Sequence, residues 1–428
     1  KWVAQVDDPR RLPEFVSHAL YLAVSGRPGP VVLALPEDML SERCETADAA
    51  PYRVVQAHPG AEELAALRSL LAEAERPLLL VGGGGWTPQA AADALAFAEA
   101  NGLPVAASFR CQDRVDNRAP VYVGDVGLGV NPALAARVRD ADVLLAAGPR
   151  LGEATTSGYT LVDIPTPRQR LVHVHPGAEE LGRVYQPEVA INAGLPQFFA
   201  AARQLEPVDG SRWREWAAGA RADYEAWVQP QPGPGELNLG EVVVWLREHL
   251  PPGAILANGA GNFSIWAHRF SRFSELGAQL GPTSGAMGYG LPAAIAAKLA
   301  RPERTVVCFT GDGDFLMTGQ ELATAVQERL AIVILLVNNA MYGTIRMHQE
   351  RMYPGRPYGT DLVNPDFVAY ARAFGAHGEL VERTAGFPAA FERAVAAGVP
   401  ALLELRVDPE AITPRQTLAE IRQRALGR

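Results

Sequence analysis

Cysteine is scarce in this 428-residue chain. Cys44, Cys111 and Cys308 are the only three, far apart and without a CxxC pair. That excludes a disulfide-stapled scaffold and a thiolate zinc site, and Cys308, inside an apolar run, reads as a core thiol. No apolar run approaches the roughly 20 residues of a membrane-crossing helix. No secretory leader is visible either, so a cytoplasmic protein without a membrane partner is expected. Positive charge is also in short supply. The 39 Lys and Arg against 48 Asp and Glu leave a net charge of −9, which argues against nucleic acid as a partner. Internal repeats and low-complexity tracts are absent. What is present is an ordinary globular composition, 48% apolar and 20% charged, long enough for two or three domains.

The chain divides into blocks. Leu12 to Val24 has helical periodicity, SGRPGPV is a turn, and 31–35 is a short buried strand before Pro36. A lone helix and strand cannot bury their apolar faces, so residues 1–45 read as the end of a larger α/β domain. A middle block, 50–205, alternates apolar strands at 78–81, 105–107, 142–147 and 171–175 with helical stretches such as 90–100. That pattern belongs to a doubly wound parallel sheet. The linker is clearest at 229–235, QPQPGPG, where proline and glycine forbid regular structure. The third block, 236–410, opens with a helix capped by Asn238. It continues with strands at 255–258 and 305–310, an apolar helix from Gly290 and a final strand at 401–407. Residues 411–428 are expected to form a tail helix.

The densest signal lies at 311–339, GDGDFLMTGQELATAVQERLAIVILLVNN. It reads as strand, tight turn, helix over 317–330, and strand, with an oxygen donor at the C-terminal end of each strand. In an open parallel sheet those ends border the ligand crevice. Gly311 and Gly313 permit a tight turn and a close backbone approach. A following helix would aim free N–H groups at a diphosphate. Asp312 and Asn339 suit a hard cation such as Mg²⁺, which binds through few protein oxygens plus phosphates. The GK[ST] of a Walker site is missing.

This segment resembles the thiamine diphosphate (ThDP) motif, and the chain as a whole resembles the acetolactate synthase branch of the 2-oxo-acid decarboxylases and carboligases. The resemblance implies a ThDP-binding α/β fold. Its parts would be the remnant of a pyrimidine-binding domain at 1–45, a middle Rossmann-like domain at 50–205, and a diphosphate-binding domain at 236–410 followed by a tail. It implies Mg²⁺ ligation by Asp312, Asn339 and the backbone carbonyl of Met341, with Asp314 and Tyr342 among the cofactor contacts. In the run SGAMGYGLPAA, Met287 would hold ThDP bent, and the Gly285 carbonyl would accept from its amino group. Asn262 and Ser264 of the run NGAGNFS would donate to diphosphate oxygens, although Asn262-Phe263 stands where the family has Gln-His.

Other positions depart further. Gly82 to Gly85 lacks a full GxGxxG. The family's FAD-contacting RFDDR and DID stretches read Arg150-Leu-Gly-Glu-Ala154 and His173-Val-His175 here, so FAD is not expected. The two histidines have no further ligand nearby, which leaves zinc without support. Ile345 would line the substrate cavity. His348 replaces a Trp that selects the larger second oxo acid and offers a titratable group.

The resemblance thus implies ThDP- and Mg²⁺-dependent decarboxylation of a 2-oxo acid, with transfer of the acyl unit to an acceptor, in a homodimer or homotetramer. The Glu that activates the cofactor would lie upstream of residue 1, so this stretch alone is expected to be inactive. A simple decarboxylase of the benzoylformate or indolepyruvate type and a non-catalytic ThDP-binding module remain as alternatives.

Overall fold

A computed structural model describes residues 1–427; Arg428, the last residue of the expected tail, lies outside the described residues. The chain forms two compact units. One comprises Lys1–Ser108 and Ala135–Ala220, the other Phe109–Leu134 and Arg221–Arg428.

In the first unit β1 (Trp2–Gln5) pairs in parallel with β2 (Val31–Ala34), and helix Leu12–Val24 joins them. Next come β3 (Pro77–Val81) and β4 (Val105–Ala107). The strand β5 (Tyr122–Asp125) is counted with the second unit, and β6 (Val143–Ala147), β7 (Arg170–His175) and β8 (Val189–Asn192) return to the first. The first unit's strands run in the order β4-β3-β6-β7-β8, all parallel. β3 and β6 are buried along their whole length, as expected of strands covered on both faces.

The second unit holds β9 (Ile255–Asn258), β10 (Gln279–Leu280), β11 (Val306–Gly311), β12 (Val333–Asn338), β13 (His377–Val381) and β14 (Ala401–Arg406). Their order is β10-β9-β11-β12-β14-β13, again all parallel. Alternate residues feed two cores. Val307, Phe309, Val333 and Leu335 pack on one face with Val242 and Phe270, whereas Val306, Cys308, Ile334 and Leu336 pack on the other with Leu291 and Phe367. The period of two along each strand produces this division. Cys308 is a fully buried core thiol, and burial pushes its pKa well up.

The strands read from apolar runs lie within one residue of their observed ends. Asn238 does cap helix Leu239–His249, accepting from the N–H groups of Gly240 and Glu241. Strands β1, β5, β8, β10 and β13 were not legible. They are two to five residues long, and β8 and β13 mix exposed with buried positions. Three expectations are corrected. β2 is not buried but alternates half-buried with exposed residues, and the tail helix is confined to Leu418–Ala425. The helix over 317–330 is replaced by a short turn of helix, Asp312–Phe315, then Gly319–Glu321 and Leu322–Gln327. The break sits at 316–318, just before Gly319, where a Cβ would come within 2.8 Å of the Phe315 ring. The chain turns there so that Phe315 can enter the core.

Candidate cofactor and metal site

β11 and β12 are neighbours in register, Gly311 opposite Val337. Asp312, the first residue after β11, therefore lies beside Asn338, the last residue of β12, which is still paired with β14. Asp312 is buried. Its Oδ1 accepts from Gly313 N at 2.9 Å and its Oδ2 from Asn364 Nδ2 at 2.8 Å. Burial raises its pKa, opposed by the hydrogen bonds from Asn364, Gly313 and Ala340. Such a carboxylate is short of positive charge, and a cation would supply it.

The loop after β12 turns sharply. Ala340 takes φ +55°, a conformation disfavoured for a residue with a side chain. It is held there by Asn338 Oδ1, which accepts from Ala340 N at 3.0 Å, and by Leu362 N, which donates to Ala340 O. Strain of this kind gathers at functional loops. Asn339 Oδ1 accepts from Met341 N at 3.2 Å, and the Met341 carbonyl accepts from Gly343 N at 2.9 Å. Each of these oxygens keeps a second lone pair. One carboxylate, one amide and one carbonyl make a hard donor set. Among the described residues no cluster of three His, Cys, Asp or Glu side chains forms a softer one.

Asp314 points elsewhere. Its Oδ1 accepts from Ala260 N at 3.0 Å and Gly288 N at 2.9 Å, and its Oδ2 from the Thr310 hydroxyl at 2.6 Å. It thereby ties the loops after β9 and β10 to β11. A Cβ at Gly259 would fall 1.8 Å from Asp314 Oδ2, so only glycine fits. Arg110 binds the same two loops from another side, donating to the carbonyls of Pro282 and Gly259. Burial lowers its pKa to about 10. Gly311 and Gly313 are equally constrained, since Cβ atoms there would meet the rings of Phe263 and Tyr342 at 2.7 and 2.6 Å. Tyr342 therefore packs over the Gly-Asp-Gly turn.

Gly285, at φ +74° with open space where a Cβ would stand, and Met287, 37% exposed, sit on the loop before helix Gly290–Ala300. Ile345 and His348, three residues apart on helix Gly343–Met352, share its exposed face, while Met347 and Glu350 face inward. Asn262 and Ser264 are committed within the protein. Asn262 Nδ2 donates to Ile412 O at 3.0 Å and approaches Met347 Sδ, its Oδ1 accepts from the Thr344 hydroxyl, and Ser264 Oγ donates to Gly261 O. The bonds joining Asn262 to Thr344 and Met347 anchor the helix that carries Ile345 and His348, whereas the Ser264 bond closes its own turn.

In the first unit, His173 Nε2 bonds the Pro149 carbonyl and His175 Nδ1 faces the backbone of Gly177. Burial lowers both pKa values, that of His173 to about 4. Arg150 pairs with the buried Glu180 at 3.3 Å. Arg110 and Asn364 had no sequence signal. Asn364-Pro365-Asp366 reads as a turn before a helix, and Arg110 follows a strand without any motif around it.

The sequence profile of the thiamine pyrophosphate enzyme C-terminal TPP-binding domain matches residues 259–405, and that of the central domain matches 64–202. The chain is 30% identical to the acetolactate synthase isozyme 2 large subunit of Escherichia coli K12, over 94% of this chain and 73% of that protein. It is 31% identical to the acetolactate synthase large subunit of Corynebacterium glutamicum, over 86% and 61% of the two, and 32% identical to that of Parasynechococcus marenigrum, over 88% and 62%. The chain thus spans about three fifths of the last two and nearly three quarters of the first.

Proposed function

The chain belongs to the thiamine pyrophosphate enzymes of acetolactate synthase type, and from that premise we propose that it serves a ThDP- and Mg²⁺-dependent carboligase. The reaction is decarboxylation of a 2-oxo acid and transfer of the acyl unit to an acceptor carbonyl. The observation that carries this reading is the meeting of Asp312 with the Asn338-Asn339 pair at adjacent strand ends, spanned by one amide. Bound there, ThDP supplies the electron sink for loss of carbon dioxide.

The donor set fits the group. Asp312, Asn339 and the Met341 carbonyl would hold Mg²⁺, and the metal would in turn hold the diphosphate of the cofactor. Asp314 and Arg110 hold the loops in place, so that Gly285 and Met287 can face the cofactor's rings. Asn262 acts at one remove, by fixing the helix beyond the metal loop, and Ser264 by closing the turn that presents Asn262. Ile345 and His348, on the open side of that helix, would shape the cavity for the second oxo acid. An assembly of two or four copies in the cytoplasm, with small 2-oxo acids as substrates, completes the reading. No described helix is long and apolar enough to cross a membrane.

Supplying the complete protein with pyruvate, ThDP and Mg²⁺ tests the reaction. Acetolactate is the expected product; free acetaldehyde alone would leave a simple decarboxylase, and failure to bind ThDP would overturn the reading. The purified protein is also expected to be colourless. A flavin absorption band at one equivalent per chain would reverse the interpretation of His173 and His175.

A further inference from the structure

We propose that Asn364 is the positioning residue of the metal centre: its amide group sets the orientation of the Asp312 carboxylate and locks it to the strand end that carries Asn338 and Asn339. This rests on the reading of Asp312 and Asn339 as metal ligands. Asn364 Nδ2 donates to Asp312 Oδ2 at 2.8 Å and to Asn338 Oδ1 at 2.9 Å. Among the described residues it is the one side chain that donates to Asp312. It lies 52 residues from one partner and 26 from the other, so it closes a bridge that neither strand can make alone.

The direction of the amide is dictated by chemistry. Asn338 Nδ2 donates to Glu404 Oε1 at 2.8 Å, and Asn338 Oδ1 accepts from Ala340 N. Asn338 therefore presents an oxygen to Asn364, as the Asp312 carboxylate does, and only the NH₂ end of Asn364 can face both. The result is a chain of bonds from Asp312 through Asn364 and Asn338 to the buried Glu404.

Local structure does not account for Asn364. The helix that follows, Phe367–Ala373, is capped by Asp366, which accepts from Ala369 N. The Asn364 Oδ1 atom is itself buried without a partner. An unpaired buried acceptor costs on the order of 1–3 kcal/mol. An apolar side chain of the same size would avoid that cost, so what retains the asparagine is its pair of donated bonds. Groups that orient a metal's ligands typically change metal affinity about 10–100-fold when removed.

The test is the Mg²⁺ dependence of ThDP binding, followed by calorimetry, in the protein and in its Asn364→Leu variant. The Mg²⁺ concentration for half-saturation is expected to rise about 10–100-fold in the variant, while its melting temperature without Mg²⁺ and ThDP stays close to that of the parent. An unchanged Mg²⁺ midpoint in the folded variant overturns the inference. Should Asn364→Leu fail to fold, Asn364→Ala removes both donors without adding a charge and is judged by the same midpoint. If the parent protein itself shows no Mg²⁺-dependent ThDP binding, the functional reading falls instead.

Discussion

Each of the two main sheets ends one of its inner strands in glycines, and the two ends are used in opposite ways. After β3, Gly82 and Gly83 run against Gly148, the residue after β6. A Cβ on Gly83 would lie 2.2 Å from the Gly148 carbonyl, and one on Gly148 would lie 2.3 Å from that of Gly82. The Gly82 carbonyl is further taken by the Trp86 indole N–H at 2.7 Å. Backbone fills the space, and the glycines serve close packing. After β11, the glycines flank an aspartate, aromatic rings occupy their Cα faces, and the polar groups of Asp312, Asn338 and Asn364 meet beyond the sheet. Parallel topology offers a crevice at every such end. Whether the crevice becomes a site depends on whether side-chain donors or backbone close it.

Two substitutions break that comparison apart. Asp312→Ala is expected to abolish Mg²⁺-dependent ThDP binding while leaving the fold intact; unchanged affinity by calorimetry would sink the metal assignment. Gly83→Ala should do the reverse. Its φ of +70° and the 2.2 Å approach combine backbone strain with overpacking, together about 4 kcal/mol. Chemical denaturation should show that loss, with the Mg²⁺ midpoint for ThDP unmoved.

The smallest effect concerns the latch on the helix beyond the metal loop. Glu350, buried, accepts from Arg422 through two bonds of 2.8 and 2.7 Å, and from Gly355 N and Arg346. Those bonds, led by Arg422, hold its pKa down from 4.5 to about 2. A carboxylate with a depressed folded pKa stabilises above its unfolded pKa and loses that contribution as pH falls through the folded value. Glu350→Gln should therefore lower stability by about 3 kcal/mol at pH 7. The gap to the parent should close as pH drops from about 4.5 toward about 2. A gap that persists at the acid end would place the effect in packing instead.

Much of the fold follows from local pattern. Apolar runs of three to seven residues, Asn238 before an amphipathic stretch, and Gly-Asp-Gly and Asn-Asn after two such runs marked the strands, a cap and the ends of β11 and β12. These signals act over a few residues, through side-chain period and turn chemistry. They also named Asp312, Asn339, Gly311 and Gly313 without any view of their surroundings. The helix expected over 317–330 failed because propensity carries no information about where the Phe315 ring must go.

What the amino-acid sequence determined by itself was therefore the parallel α/β architecture and the donor types at the end of β11 and β12. Tertiary structure decided which groups those donors meet. Asp314 accepts from the distant backbone N–H groups of Ala260 and Gly288, Asn262 bonds across 150 residues to Ile412 O, and Arg110 reaches 172 residues to Pro282 O. Asn364 likewise became a partner of Asp312 only when the loop before Phe367–Ala373 came over the sheet. The reason is geometric: a hydrogen bond needs two groups about 3 Å apart, and for residues far apart in sequence only the folded chain sets that distance.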